Sequence, residues 1–256
     1  MQTSDRLNFL IMGAQKSGTT ALTYFLMQHP EIYIPERKEM HFFDDETAFA
    51  SSLEAVDYGS YHAGFDIPSR AKVVGEATPI YMYWTPAAQR IKQYNPSIKL
   101  IFILRNPIDR AYSHYNWARR VMDKESLPFS VAIRLEGLRN VEQFPMQSRW
   151  HSYVDRGYYA RQIKHLLRYF SLSQMLFIKT EDLRNNHSAT LDRIFDFLGV
   201  GQAQSIEPAE IYSNRYGPMS SSDRIYLLTK FNDDIKELEV LLGLDFSDWL
   251  KDSQAS

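Results

Sequence analysis

Gly13, Gly18 and Thr20 lie in the stretch NFLIMGAQKSGTTALTYFLMQHP, close to the pattern of a phosphate-binding loop. A nucleotide triphosphatase loop, G-x-x-x-x-G-K-[ST], puts its lysine directly after the second glycine, where it reaches the β and γ phosphates. Here that slot is Thr19, and the lysine is Lys16. The apolar run before Gly13 reads as a strand and the run ending before Pro30 as a helix. The amides of Ser17, Gly18, Thr19 and Thr20 should therefore point out of a helix N-terminus, which attracts anions. The alternative is a strand-helix turn whose glycines only relieve strain. A second anion clamp is suggested by KLIFILRNPIDRAYSHYNW: a strand ends at Arg105, Pro107 suits a first helical turn, and the helix folds Ser113 back toward the strand end. A fixed guanidinium with a hydroxyl suits a second phosphate, unless Arg105 is a surface ion pair and Ser113 faces water. Glu76, at the end of KVVGEA, can be read as a magnesium ligand, an ion-pair partner or a general base.

The elements that must hold these groups are visible as short apolar runs between helical patterns. LNFLIMG, KVVGEA, KLIFILRN and QMLFIKT are brief and apolar on both faces, as buried parallel strands are. SATLDRIFDFLGV puts Leu191, Ile194, Phe195 and Leu198 on one helical face with Gly199 as a stop. SSDRIYLLTKFNDDIKELEVLLGLD does the same with Ile225, Leu228, Ile235, Leu238 and Leu242, ending at Gly243. Strands alternating with helices predict an α/β fold, a parallel sheet flanked by helices. The polar and aromatic segment 44–69 reads as an excursion over the carboxyl edge of that sheet. At 256 residues the expectation is one domain covering 1–256.

A net charge of −2 gives no general reason to expect nucleic acid or an anionic membrane as a partner. The absence of cysteine excludes disulfides and thiolate metal sites. No leader pattern and no long apolar window is found, so the expectation is a cytoplasmic protein.

Together, the QKSGTT loop and the RNPIDRAYS element resemble the sulfotransferases that use 3'-phosphoadenosine 5'-phosphosulfate (PAPS), most closely the branch of heparan sulfate N- and O-sulfotransferases and their bacterial relatives. KEMHFFD, GEATPIY, RGYYARQIKHLL, FLGV and NRYGPMS follow in the order found there. The resemblance implies a P-loop-like fold and transfer of a sulfuryl group without a metal. Lys16 would donate to the bridging oxygen as the S–O bond breaks. Ser17, Gly18, Thr19 and Thr20 would hold the 5'-phosphate, and Arg105, Ser113 and Arg215 the 3'-phosphate. Glu76 would be the base, because the branch carries a glutamate in its matching segment. The lysine that often follows it is Ala77 here, and Lys38 is the candidate substitute. His41 is the rival base, since other branches use histidine, or else an acceptor-side residue; His114 ranks below it. Tyr212 and Tyr216 are candidates for stacking on adenine.

The acceptor is the least specified part. Phe42, Phe43, Tyr81, Tyr83, Trp84, Trp117, Trp150 and Tyr153 can line an acceptor pocket or form core. Asp44 and Asp45 can meet a cation or form a solvated turn. The expectation is a small soluble acceptor, a specialised metabolite sulfated on a hydroxyl rather than an amine. A glycan or polysaccharide is the alternative, and a P-loop kinase or non-catalytic nucleotide-binding module the remote one.

Overall fold

The computed structural model describes residues 6–50, 53, 56–141, 148–203, 205–211 and 216–251. In chain order these form β1 (Phe9–Gly13), α1 (Thr19–Leu26), β2 (Ile32–Tyr33), α2 (Tyr58–His62), β3 (Val73–Ala77), α3 (Thr85–Tyr94) and β4 (Lys99–Leu104). There follow α4 (Pro107–Arg120), α5 (Phe129–Val141), α6 (Tyr159–Leu166), β5 (Met175–Lys179), α7 (Thr180–Asn185), α8 (His187–Leu198) and α9 (Ser221–Leu242). The chain divides into two compact units, Met1–Leu104 with His165–Ser213, and Arg105–Lys164 with Asn214–Ser256.

The first unit holds one five-stranded sheet in the order β2-β3-β1-β4-β5, with every pairing parallel. All four apolar runs become strands, and β1 is buried along its whole length. The additional strand, β2, pairs two residues with Val73 and Val74 and is too short to show a periodicity. β1 is central, with β3 on one side and β4 on the other. The carboxyl ends of β1 and β3 thus meet where successive connections leave the sheet in opposite directions, the usual place for a ligand in such folds. α8 buries the predicted Leu191, Ile194, Phe195 and Leu198 and ends on Gly199 in the left-handed region, φ 80°. Segment 44–69 contains α2, whose Tyr61 reaches Glu76 at the carboxyl end of β3.

In the second unit, α4 opens with Pro107 in its first turn, capped by the Asn106 side chain, which accepts from the Ile108 amide. α9 ends on Gly243 as expected, but its buried face differs from the sequence reading. Leu227, Phe231, Ile235 and Leu238 are buried, whereas Ile225 is 52% exposed. Both registers fit a helical period. The choice is made by the Phe231 ring, which lies so close to Gly157 that a Cβ there would come within 2.5 Å of it. Ile235 and Leu238 are buried as the pattern expects, and the difference is confined to the first turns, where Leu227 and Phe231 take the buried face in place of Ile225 and Leu228.

Gly75 plays a similar part in the sheet. It pairs with Phe9 across β1 and β3, and a Cβ on it would lie 2.5 Å from the Phe9 ring, a core residue with no exposed surface. The ring has no room to move away, since overpacking a dense interior forces backbone or rotamer shifts. Gly75→Ala is expected to destabilise the protein by about 1–3 kcal/mol, read as a lower urea midpoint. A midpoint equal to that of the parent would show that the β3–β1 contact is looser than described.

Candidate active site

The turn from β1 into α1 is built on two residues with positive φ, Lys16 at 70° and Gly18 at 99°. Gly18 adopts this without strain, whereas for Lys16 it is a held conformation. The turn is tied down on both sides. The Ala14 amide donates to the Ile103 carbonyl at 2.8 Å, and the Thr180 hydroxyl lies 2.6 Å from the Ser17 carbonyl and 3.0 Å from that of Leu104. Thr180 was not singled out in the sequence; its position directly after β5 is the only signal for it.

α1 begins at Thr19 with Gly18 as its cap, no side chain caps it, and its first turn has no acidic residue. The positive end of the helix dipole is thus uncompensated from within the helix. Ser17 is fully buried and its hydroxyl has no hydrogen-bond partner. The Lys38 ammonium donates to the Thr20 hydroxyl and lies 3.4 Å from that of Thr19. A cation beside a helix N-terminus is electrostatically unfavourable on its own. With the unpartnered Ser17 hydroxyl, it makes this end of the sheet a place that suits a polyvalent anion such as a phosphosulfate.

Beside the loop lies a second cluster, on the segment after Lys38. Glu39 and His41 both have positive φ, 61° and 55°. The segment is pinned by its backbone. The Glu39 amide donates to the Ala77 carbonyl at 3.1 Å, the Met40 amide to Glu76 at 3.4 Å, and the Phe42 amide to the Tyr81 hydroxyl at 3.0 Å. Arg90 donates to the Phe43 carbonyl at 3.0 Å and to Glu46 at 2.6 Å. So anchored, the side chains form a row. Asp44, buried, lies 3.0 Å from His41 Nδ1, and His41 Nε2 lies 3.5 Å from Glu39, which in turn lies 3.6 Å from Lys38. The bonds to Asp44 and Glu39 push the His41 imidazole up to about 9, outweighing its partial burial. Burial works to raise the Glu39 carboxyl, but His41 and Lys38 prevail and hold it below its ordinary range. Burial pushes the Lys38 ammonium down, partly opposed by Glu39.

Glu76 is differently placed. Its side chain is 1% exposed. One oxygen accepts from Tyr61 at 2.8 Å and Tyr81 at 2.9 Å, the other from Thr78 at 2.8 Å and the Met40 amide at 3.4 Å. Burial pushes its carboxyl above the ordinary range despite these donors. A raised carboxyl suits a base, but all four acceptor positions are filled and no face is open to an acceptor. In this arrangement Glu76 serves as the post to which the Lys38–Asp44 segment is fastened.

Arg105 and Ser113 belong to the second unit. The Arg105 carbonyl accepts from the buried Tyr159 hydroxyl at 3.0 Å, and Ser113 is buried on α4. Arg215 and Tyr212 lie outside the described residues. Tyr216 packs edge-on against Tyr112, ring centroids 5.2 Å apart. His114 is fully buried against Tyr153, a core role. The aromatic residues expected at an acceptor pocket are mostly core: Phe43, Tyr81, Tyr83, Trp84 and Tyr153 are buried. Only Phe42, Trp117 and Trp150 keep partial exposure. Asp44 is taken up by His41, and Asp45 closes an exposed turn on Thr47. Among the described residues no three or more His, Asp or Glu are grouped to hold a metal, and no helix is long and apolar enough to cross a membrane.

A parallel sheet with an anion-seeking loop after its central strand, and no lysine in the Walker position, defines a P-loop-like α/β fold. The sulfotransferase domain model matches residues 7–217, and the chain belongs to that family. A crystallised sulfotransferase from Alicyclobacillus acidocaldarius is 31% identical, covers 96% of this chain and 99% of its own, and superposes with a TM-score of 0.80. Heparan sulfate glucosamine 3-O-sulfotransferase 6 of Homo sapiens is 34% identical over 75% of this chain, and bifunctional heparan sulfate N-deacetylase/N-sulfotransferase 3 of Homo sapiens 30% identical over 98%. The matched regions span 52% and 32% of those two proteins.

The row Asp44–His41–Glu39 predicts a pH signature. The folded state holds the His41 proton more tightly than the ordinary value of 6.5, so the stability it contributes is fully present below pH 6.5 and is lost as pH rises through about 9. The destabilisation caused by His41→Asn should accordingly be larger at pH 6 than at pH 10, compared by denaturation midpoints. Equal destabilisation at both would show that the charged pairing does not form.

Proposed function

We propose that this protein transfers the sulfuryl group of PAPS in line to an acceptor hydroxyl, with Glu39 as the general base. The observation that carries this reading is the unbalanced anion site at the start of α1 beside an ionised, partly exposed glutamate, in a chain of the sulfotransferase family. Ser17, Gly18, Thr19 and Thr20 hold the 5'-phosphate, and Lys16 donates to the bridging oxygen as charge develops there. Arg105, Ser113 and Arg215 take the 3'-phosphate, a planar guanidinium being suited to it. Glu39, 34% exposed, accepts the acceptor proton while His41 and Asp44 fix its orientation. Glu76 keeps that segment in place. The family match draws on both units, which supports treating 1–256 as one sulfotransferase domain.

For the acceptor, a sugar hydroxyl is the better supported reading, since the relatives named above are heparan sulfate enzymes. A small hydroxylated metabolite is the second reading, favoured by a net charge of −2, which offers little to a polyanionic chain. A kinase is disfavoured by Thr19 in the lysine slot.

Labelled PAPS offered with a panel of sugars and small alcohols is expected to yield a sulfated product, while ATP with magnesium yields no phosphorylated one. Phosphoryl transfer with no sulfuryl transfer would overturn the reading. Lys16→Ala is expected to slow transfer by about 10²-fold or more with a smaller loss of PAPS affinity; an unchanged turnover number would remove Lys16 from the leaving-group role.

The two glutamates separate in their own test. Glu39→Gln should leave stability and PAPS affinity near normal and lower transfer by about 10²-fold or more. Glu76→Gln should lower the melting temperature, because an amide cannot accept from all four donors. Near-normal turnover in Glu39→Gln beside a stable, inactive Glu76→Gln would return the base to Glu76.

A further inference from the structure

Lys38 stands beside the phosphate loop, and the sequence explains why a cation is wanted there. The resemblance leads one to expect lysine after Glu76, where this chain has Ala77, 1% exposed. The Ala77 carbonyl accepts the amide of Glu39, so the residue next to Lys38 is docked on the position where that lysine is lacking. From this dock the Lys38 side chain, 22% exposed, reaches the hydroxyls of Thr19 and Thr20. A hydroxyl that accepts from an ammonium keeps its own proton to donate elsewhere, so the contact orients both threonines as donors. Pairing with Glu39 at 3.6 Å is loose, and would not by itself draw an ammonium to the positive end of α1.

Resting on the sulfotransferase reading, we propose that Lys38 is a catalytic residue that contacts the non-bridging oxygens of the sulfuryl group in transfer, supplying from the 38–41 segment the positive charge that Ala77 does not supply from β3. In that step the acceptor oxygen bonds to sulfur and the bond from sulfur to the bridging oxygen breaks. Its electron pair stays on the 5'-phosphate of adenosine 3',5'-bisphosphate (PAP), and the acceptor proton passes to Glu39. Lys38 donates throughout without losing its proton, so the step requires the ammonium form. Its burial lowers the pH at which that form is lost, which gives the role an alkaline limit of its own.

The test compares Lys38→Met and Lys38→Arg with the parent protein by calorimetric binding of PAP, single-turnover consumption of PAPS, the pH dependence of that rate, and melting temperature. PAP lacks the sulfuryl group. It keeps the 5'-phosphate held by Thr19 and Thr20, which Lys38 orients, so Lys38→Met is expected to lose a few-fold in PAP affinity but about 10²-fold in transfer rate, the usual loss for one transition-state donor. The pH comparison is made in a His41→Asn background, because His41, in contact with Glu39, itself loses its proton at about pH 9. There Lys38→Arg should recover part of the rate and carry the alkaline limb to higher pH, since a guanidinium stays charged; a role confined to structure would leave that limb where it was. An active parent beside a Lys38→Met protein of unchanged rate would overturn this inference alone. So would a rate loss matched by an equal loss of PAP affinity, or an alkaline limb unmoved in Lys38→Arg, which remains readable if Lys38→Met is unstable. A parent that neither binds PAP nor consumes PAPS would overturn the sulfotransferase reading, and this inference with it.

Discussion

Glu76 is a carboxylate taken almost wholly out of water, which is tolerable only when its acceptor positions are filled. Filling them draws together parts of the chain that have no other reason to meet. Tyr61 comes from α2, Thr78 and Tyr81 from the turn after β3, and the Met40 amide from the segment beyond β2. The requirement is reciprocal. Tyr61 and Tyr81 are buried deeply enough that their own hydroxyl protons are held far above the ordinary range, so each needs an acceptor as much as Glu76 needs donors. The result is a closed polar knot inside an aromatic shell, and removing any member leaves a buried group unsatisfied.

The strained backbone of Glu39 and His41 depends on that knot. Two non-glycine residues with positive φ within three positions would each relax if left free. They are held because the amides on either side have fixed partners: Glu39 on the Ala77 carbonyl, Met40 on Glu76, Phe42 and Phe43 on Tyr81. With the backbone fixed, the side chains of Lys38, Glu39 and His41 have few directions left, and the carboxylate of Glu39 stays partly exposed among charges that keep it ionised. The energy of the knot is thus expressed as orientation at the site, which is where preorganisation serves catalysis.

How much of this is legible in the sequence follows from the range of each interaction. The strands β1, β3, β4 and β5 announce themselves because burial on both faces requires continuous apolar runs, and the caps at Gly199 and Gly243 because the left-handed turn favours glycine. The loop Lys16–Thr20 is legible for the same reason: its chemistry is written in consecutive residues. β2 is not, having only two paired residues. The face of α9 is not, because Leu227 and Leu228 satisfy the same period and a contact between Phe231 and Gly157 decides between them. Which glutamate stays partly exposed is hidden for a related reason. KEMHFFD and GEATPIY each contain a glutamate, and nothing local says which is buried. Glu76 lies on a strand and Glu39 on a left-handed turn, and that difference arises only from contacts 36 and 38 residues away, from Met40 to Glu76 and from Glu39 to Ala77.

The same contacts explain why a cation can move from one segment to another without loss of the site. What an anion at the start of α1 responds to is where charge stands, not which strand it comes from, because Coulomb interactions depend on distance and on exclusion of water. The Glu39 amide is bonded to the Ala77 carbonyl, so Lys38 leaves a segment docked on the end of β3. The exchange has a constraint attached. A lysine on β3 would be held by a strand, whereas Lys38 is held by a segment whose shape rests on the Glu76 knot, so in this chain the position of the cation and the position of Glu39 are set by one and the same set of hydrogen bonds. Weakening the knot would therefore move Lys38 and Glu39 together.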